Sequence, residues 1–342
     1  MSNTKYIFGP VPSRRMGQSL GISPIPKKTC NYSCAYCQLG RTEKRTNERR
    51  VFFPPEEILA ELDACRADLA KCDVVTLVGE GEPTLYAALG ELIDGIHQRT
   101  DKPVAVITNG ALLGDPAVRA DLCRADIVLP SLDSFDEKSW HRIDRPLLSL
   151  HYEEVMEGLR IFTHEFTGQI YLEIMLMDGI NDSRECLEKF REELSHLRYD
   201  RVYINTPVRP PAEADIHVSS AETLALATEL LGGISIEALA AGSFSSEISD
   251  DYEAILSIIG RHPMNQHEIG SFLASRENPH PEEILRRLSE DPKVHPMEYK
   301  GYVTFRLRGV RKSRLPCRPG KKRTAIDDAP GIFREPSMAV FL

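Results

Sequence analysis

An α/β fold with a largely parallel sheet is predicted by three features of this 342-residue sequence. Short β-branched runs alternate with amphipathic helical segments about six times between residues 17 and 208. Polar, glycine-containing stretches follow several of the runs, as expected where function sits at the C-terminal ends of parallel strands. The length also accommodates about two domains, a large one and a smaller satellite. Each βα repeat requires a right-handed crossover, and the sheet then either curls into a barrel or opens as a doubly wound sheet; periodicity alone does not choose.

The first strand is GQSLGISPIP (17–26). PPEEILAELDACRADL (54–69) reads as a helix, with proline and glutamates at the end where amides are unpaired and the dipole is positive. The strand DVVTLVG (73–79) and the helix LYAALGELIDGIHQRT (85–100) follow. PVAVITNG (103–110) is the next strand, and a short helical stretch near DPAVRADLCRA leads to the strand DIVLPSLD (126–133). The helix HYEEVMEGLRIFTHEF (151–166) precedes the strand GQIYLEIML (168–176), and SRECLEKFREELSHL (183–197) precedes DRVYINTPV (200–208).

A proline-rich break, TPVRPPAEADIHVSS, marks the exit from a core domain of residues 1–210. AETLALATELLGGISIEALAAG reads as a helical adaptor within a linker, 211–250. Residues 251–309 read as three helices, DYEAILSIIGRHP, NQHEIGSFLA and HPEEILRRLSED, closed by a hairpin of KVHPMEY and GYVTFRL around Lys300 and Gly301. That order resembles a winged-helix domain, whose third helix usually enters a nucleic-acid groove. Protein or substrate docking is an equal alternative, because only Arg286 and Arg287 enrich the third helix. The basic, proline-rich tail 310–342 is expected to be weakly ordered.

With 42% apolar and 27% charged residues, global disorder and fibrous folds are excluded. The formal charge of −9 argues against a uniformly basic nucleic-acid binder, although basic runs crowd both ends of the chain. The opening residues lack the apolar core of a signal peptide, and no stretch reaches the roughly 18 apolar residues of a spanning helix, so a soluble, cytoplasmic protein without membrane partners is expected.

Three of the eight cysteines are clustered in CNYSCAYC, which puts Cys30, Cys34 and Cys37 on one tight loop after the first strand. Structural zinc wants four protein ligands, and no further Cys or His follows nearby. An electron-transfer cluster would also use a fourth cysteine, whereas a [4Fe-4S] cluster held by three thiolates leaves one iron open for chemistry. Gly79, Gly81 and Pro83 of GEGEPT form a turn with exposed backbone groups.

The Cys-x3-Cys-x2-Cys loop after the first strand, with VGEGEPTLY, ITNG and PSLDSFDEKSWHRIDRP at later strand ends, resembles the radical S-adenosylmethionine (radical SAM) superfamily over about residues 6–210. The resemblance implies a partial (β/α)6 barrel, one [4Fe-4S] cluster on the three cysteines, and SAM chelated to the open iron. It aligns Tyr36 with the aromatic near the adenine and Glu82 with the acidic position of the glycine-rich motif, though this chain interposes Glu80 where two adjacent glycines are commoner. Asn109, Ser131, Asp133 and Glu173 are then directed toward cofactor or substrate, with cap, turn or buried-partner roles as the alternatives. Arg14 and Arg15 precede the first strand and suit a substrate phosphate or carboxylate, or an ion pair.

The opening FGPVPSRRMGQSLGISPIPKKTCNYSCAYCQLGRT with GEGEPTL is similar to a broad group of Fe-S oxidoreductases related to tRNA-modifying wyosine-base synthases. The chain has no second cysteine cluster and no room for a flavodoxin-like domain, so wyosine synthesis itself is not implied. The implied mechanism is one-electron reduction of the cluster by a donor such as flavodoxin or ferredoxin. Reductive cleavage of SAM then yields methionine and a 5'-deoxyadenosyl radical that abstracts hydrogen from substrate. Three readings follow: such an enzyme acting on RNA, peptide or protein; one acting on a small metabolite; and a DNA-binding regulator with the cluster as sensor.

Overall fold

The computed structural model describes residues 6–237, 239, 244, 246, 248–299 and 301–308. Lys300 and the tail 310–342, with Lys312, Arg314 and Cys317, lie outside the described residues.

The chain opens with a hairpin, β1 (Ile7–Ser13) and β2 (Gly17–Ile22), paired antiparallel with a register shift between Phe8 and Val11. A cysteine loop follows, tied by the two-residue strands β3 (Thr29–Cys30) and β4 (Lys44–Arg45). The predicted first helix is broken at Cys65 into α1 (Pro55–Ala64) and α2 (Arg66–Ala70). Next come β5 (Val74–Leu77), α3 (Leu89–His97), β6 (Val104–Thr108), α4 (Pro116–Leu122), β7 (Ile127–Pro130), α5 (Glu137–Ile143) and α6 (Tyr152–Glu165). The core ends with β8 (Gln169–Met175), α7 (Arg184–Leu194), β9 (Arg201–Asn205), α8 (Ala221–Leu231) and β10 (Ile234–Ser235).

Eight strands form one sheet in the order β1-β2-β5-β6-β7-β8-β9-β10, parallel throughout except for β1. The sequence order reappears as the spatial order, as in a barrel wall that is not closed. The expected helical adaptor is corrected here: its helix stops at Leu231, where Gly232 takes φ 62°, and the chain then adds a seventh parallel strand. Side-chain alternation buries both faces. Leu20, Val75, Val106, Val128, Leu172 and Val202 pack against the helices. Val74, Ala105, Ile127, Leu129, Tyr171 and Tyr203 form a smaller cluster on the opposite, inner face.

The last described segment runs α9 (Asp251–Ile259), β11 (Met264–Asn265), α10 (Gln266–Ser275), α11 (Pro281–Glu290), β12 (Val294–Tyr299) and β13 (Tyr302–Leu307), with the antiparallel order β11-β13-β12. Asp250 caps α9, and a reciprocal Asn265–Glu268 capping box starts α10. Ile255, Ile258, Phe272, Leu273, Leu288 and Phe305 make a core of their own, against which Val11 of β1 packs. The three helices and the closing hairpin are therefore present; β11 is an additional strand.

Candidate functional site

The cysteine loop is sewn to its surroundings by backbone hydrogen bonds. Ser33 N donates to Asp144 O at 3.0 Å, Ala35 N to Ile143 O at 2.8 Å, and Leu147 N to Asn31 O at 2.9 Å. Within it, Cys37 N donates to Cys34 O at 3.1 Å. The only tryptophan, Trp140, is buried and donates its indole N–H to the Tyr32 hydroxyl at 2.9 Å, fixing the middle of the loop. Cys30 Sγ receives Tyr32 N at 3.4 Å and Asn109 Nδ2 at 3.6 Å. Cys34 Sγ lies 3.6 Å from an Asp144 carboxylate oxygen.

Burial pushes all three thiols above the usual thiol range, and for Cys34 the Asp144 carboxylate and the other two sulfurs push the same way. Lys28 and Arg306 pull Cys37 in the opposite direction. Arg306 comes from β13, far along the chain, and its Nη1 is buried without a hydrogen-bond partner.

The GEGEPT turn is clamped to the start of this loop. Lys28 N donates to Glu80 O at 2.5 Å, and Glu82 N to Thr29 O at 3.1 Å. A Cβ at Gly81 would overlap the Thr29 carbonyl oxygen, so close backbone approach dictates glycine there. Glu82 is 2% exposed, and its carboxylate is met by protein donors on both oxygens. Thr84 N at 3.0 Å, Thr84 Oγ1 at 2.6 Å and Thr108 Oγ1 at 2.6 Å reach Oε1, and Asn109 N at 2.8 Å reaches Oε2. Burial raises its pKa while these bonds oppose the rise. Glu82 is thus a strut between the ends of β5 and β6. Pro83 begins the 3-10 turn that this carboxylate caps.

The remaining predicted residues fall into two groups. Tyr36 donates its hydroxyl to Asp133, whose other carboxylate oxygen receives Met175 N at 2.7 Å. Asp133 and Asp144 are both buried, and burial raises both, helped by the Glu173 charge at Asp133 and by the Asp133 charge at Asp144. Ser131 continues β7 by donating its N–H to Thr108 O at 3.0 Å and bridges to Glu173. Glu173 lies within β8, not at its end, paired with Arg15 and accepting from Asn205 Nδ2 at 3.1 Å. Arg15 thus makes an ion pair through one terminal nitrogen.

Beside these groups a cavity of about 630 Å3 opens on the inner face of the sheet, within the range of small-molecule sites. Ser19, Thr76, Ile107 and Asn205 form its floor, and Gly79, Glu80, Gln38 and Leu39 connect it to the glycine-rich turn and the cysteine loop. Its far wall is the C-terminal segment, with His262, Asn265, Tyr299, Tyr302 and Thr304. Arg209 holds that wall in place: Glu268 accepts both its nitrogens at 2.7 and 2.9 Å, Pro263 O accepts another hydrogen bond, and His262 Nε2 lies 2.8 Å away. Tyr299 donates to Pro207 O, and Lys27 to Gly260 O at 2.5 Å. Sequence reasoning passed over Asn31, Asp144, Arg209, His262 and Arg306. Asn31, inside CNYSCAYC, and Asp144, inside HRIDRP, had a local signal; the other three had none.

Among the described residues no three His, Cys, Asp or Glu side chains are drawn together, as they stand, to hold a metal ion. The donor chemistry nonetheless fits an iron-sulfur cluster. Three soft thiols share one half-buried loop, the sulfurs of Cys30 and Cys37 near enough to raise the pKa of Cys34, with two cationic side chains beside Cys37.

Residues 25–194 match the Radical SAM superfamily profile. A UPF0026 protein of Methanocaldococcus jannaschii is 36% identical over 309 residues, covering 87% of this chain and 94% of that one. A UPF0026 protein of Synechocystis is 39% identical over 213 residues, covering 61% and 78%. The chain belongs to the UPF0026 family, and its residues 25–194 carry a radical SAM domain. A solved radical SAM methyltransferase from Sphaerobacter thermophilus shares 19% identity over 64% of this chain and 65% of that one, with a TM-score of 0.48. No helix among the described residues is long and apolar enough to cross a membrane.

Proposed function

We propose that this chain is a radical SAM enzyme whose Cys30, Cys34 and Cys37 hold one [4Fe-4S] cluster, with SAM at the iron that no cysteine claims and a low-potential donor such as flavodoxin or ferredoxin supplying the electron. The observation that carries this reading is the single clamped loop bearing three half-buried thiols, abutting the GEGEPT turn, with no fourth cysteine drawn to it among the described residues. Bound there, cluster and SAM supply one-electron cleavage to methionine and a 5'-deoxyadenosyl radical that takes hydrogen from a substrate C–H bond.

The protein's own residues position and shield that chemistry. Glu82 and Asn109 lock the glycine-rich turn, the β6 end and Cys30 into one rigid block, with Gly79 and Glu80 lining the cavity. Tyr36 and Asp133 hold the loop against β8, and Ser131 and Glu173 line up beside them. The substrate approaches through the cavity. Its dimensions favour a small molecule over RNA or protein, because the C-terminal segment forms a wall of the cavity. The arginines expected to meet a polyanion are also engaged within their own segment: Arg286 pairs with Glu290 at 2.7 Å, and Arg287 stacks 3.7 Å over the Tyr252 ring. The winged-helix-like segment is in this reading a lid module, not a reader of nucleic acid. The likeness to wyosine-base synthases then extends to cofactor chemistry only.

Anaerobic reconstitution followed by iron and sulfide analysis tests the ligand set, with four irons per chain expected. Replacing any one of Cys30, Cys34 or Cys37 with Ala should abolish the cluster and the formation of 5'-deoxyadenosine. A full cluster in the triple variant would overturn the assignment.

A further inference from the structure

The cavity carries a cationic feature that radical generation does not use, on the turn between β1 and β2. Four arginines line the cavity, and their partners differ. Arg209 is engaged through both terminal nitrogens by Glu268, Pro263 and His262. Arg261 and Lys27 share Glu80, at 3.5 and 3.3 Å. Arg15 is half engaged: one terminal nitrogen meets Glu173, its carbonyl accepts from Tyr203 at 3.3 Å, and its Nε is buried without a partner. Arg14, beside it on the same wall, has no acceptor among the described residues. Of the lining carboxylates, Glu80 and Glu268 are taken as described, and Glu237 sits beside Tyr299.

The field at this wall is legible in His262. Burial keeps its imidazole neutral, and the guanidiniums of Arg209, Arg14 and Arg15 all act in the same direction, so three positive charges converge on one buried ring. A neutral acceptor is the response of the fold to that convergence, and it satisfies Arg209 alone. A guanidinium presents a planar fork that matches two oxygens of a carboxylate or phosphate, and a buried N–H without a partner costs free energy until an acceptor arrives.

We propose that Arg14 and Arg15 form the anion subsite of this cavity, binding the carboxylate or phosphate group of a small substrate whose remainder extends toward Gly79 and Glu80. The proposal rests on the radical SAM reading for the identity of the chemistry and on Arg14 and Arg15 for the class of substrate. The pinned Arg15 sets the orientation of the anion. The unengaged Arg14 supplies most of the affinity, and the walls of the cavity limit the size of the molecule.

The test is isothermal titration calorimetry on the full reconstituted chain, with inorganic phosphate in one arm and malonate in the other, at ionic strength held constant with chloride. Saturable binding of one equivalent of either probe is expected, weakened at least tenfold by Arg14→Gln. Arg66→Gln, which removes an exposed cation paired only with Asp63, should bind as the unmodified chain does. Binding confined to phosphate or to malonate identifies which group the subsite takes. Absence of saturable binding in both arms, or equal affinity in the Arg14→Gln protein, overturns the proposal. So does displacement of the probe by SAM, which would assign the subsite to the cofactor's own carboxylate. Iron and sulfide analysis of the same preparations separates the two readings: Arg14-dependent binding in a chain that takes up no iron would sink the radical SAM reading and leave the anion subsite standing.

Discussion

Glu82→Ala separates a strut from a ligand contact. In the folded chain the Glu82 carboxylate takes four hydrogen bonds from three residues, two of them from the backbone N–H groups of Thr84 and Asn109. The two threonine hydroxyls can rotate to new acceptors, but the amides cannot. A buried donor left without an acceptor costs about 1–3 kcal/mol, so two orphaned amides cost about 2–6 kcal/mol. Removing an anion buried without a cation offsets part of that, leaving roughly 3 kcal/mol. At about 2–4 °C per kcal/mol for a chain of this order, the melting temperature should fall by about 6–12 °C. Glu82→Gln keeps the acceptor at Oε1 and sets an amide donor against Asn109 N–H, so its loss should be about half as large. Because burial raises the folded pKa above the unfolded value of about 4.3, the contribution of Glu82 is largest below that pH and declines as pH rises through the folded value; its advantage over Gln shrinks accordingly. The measurement is thermal melting of the cluster-free chain across pH, with SAM affinity determined in parallel on the reconstituted protein. An Ala variant that melts within about 1 °C of the parent but loses SAM affinity would refute the strut and make Glu82 a direct contact.

Two further perturbations probe the same frame. His262 has its folded pKa held below the unfolded value by burial and then by arginine charge, so it contributes stability above about pH 6.5 that is lost as pH falls toward the folded value, at no more than about 1.4 kcal/mol per pH unit. Buried Asp133 works in the opposite direction but is common to both proteins, so the difference between urea unfolding of the parent and of His262→Gln should diminish from pH 7.5 to 5.5; a constant difference would show that His262 is not held neutral. Glu213, lowered to about 2 by its hydrogen bonds from Arg41 and Arg145, ties the cysteine loop to the segment after β9. Its stabilisation is present at neutral pH and lost as pH falls from about 4.3 toward 2. Glu213→Gln should cost about 1 kcal/mol or less, since Arg41 is exposed and screened, yet should hasten iron loss to a chelator; unchanged iron release would mean the tie does not steady the loop.

The parts of the fold that were readable from sequence are those with a strong local code. Val74–Leu77, Val104–Thr108 and Ile127–Pro130 are β-branched runs bounded by turn residues, and the thiol loop announces itself by spacing. β1 was hidden because IFGPVPS carries two prolines and a glycine, which argue against a strand; as a bulged strand at the sheet edge it tolerates them. β10 was hidden inside a leucine- and alanine-rich stretch with helical character, where a left-handed Gly232 ends the helix. The role of Glu82 was half visible: its position in the motif pointed to the site and Thr84 is a local donor, but the other two donors to its carboxylate, Thr108 and Asn109, come from across a crossover. Pairings such as Arg15 with Glu173, Arg209 with Glu268 and Arg306 beside Cys37 join residues scores to hundreds apart, and nothing in a linear pattern encodes them.

The sheet ends on one side at the two-residue β10 and on the other at an antiparallel hairpin, while α9 through β13, with a three-stranded sheet of its own, supplies residues to the wall of the cavity. That arrangement makes the last stretch of the chain an interchangeable endplate. The thiol loop, the glycine-rich turn and the two arginines of the β1–β2 turn all belong to the first half of the chain, whereas the size and lining of the opposite wall are written after residue 251. Drift in that terminal piece can retune which molecule fits without touching the residues that would hold the cluster. Arg306 is one of the threads crossing between the two, beside the Lys27–Gly260 hydrogen bond and the Arg261–Glu80 pair, so a lineage that exchanged the endplate would also reset the charge beside Cys37, and with it the reduction potential of any cluster bound there.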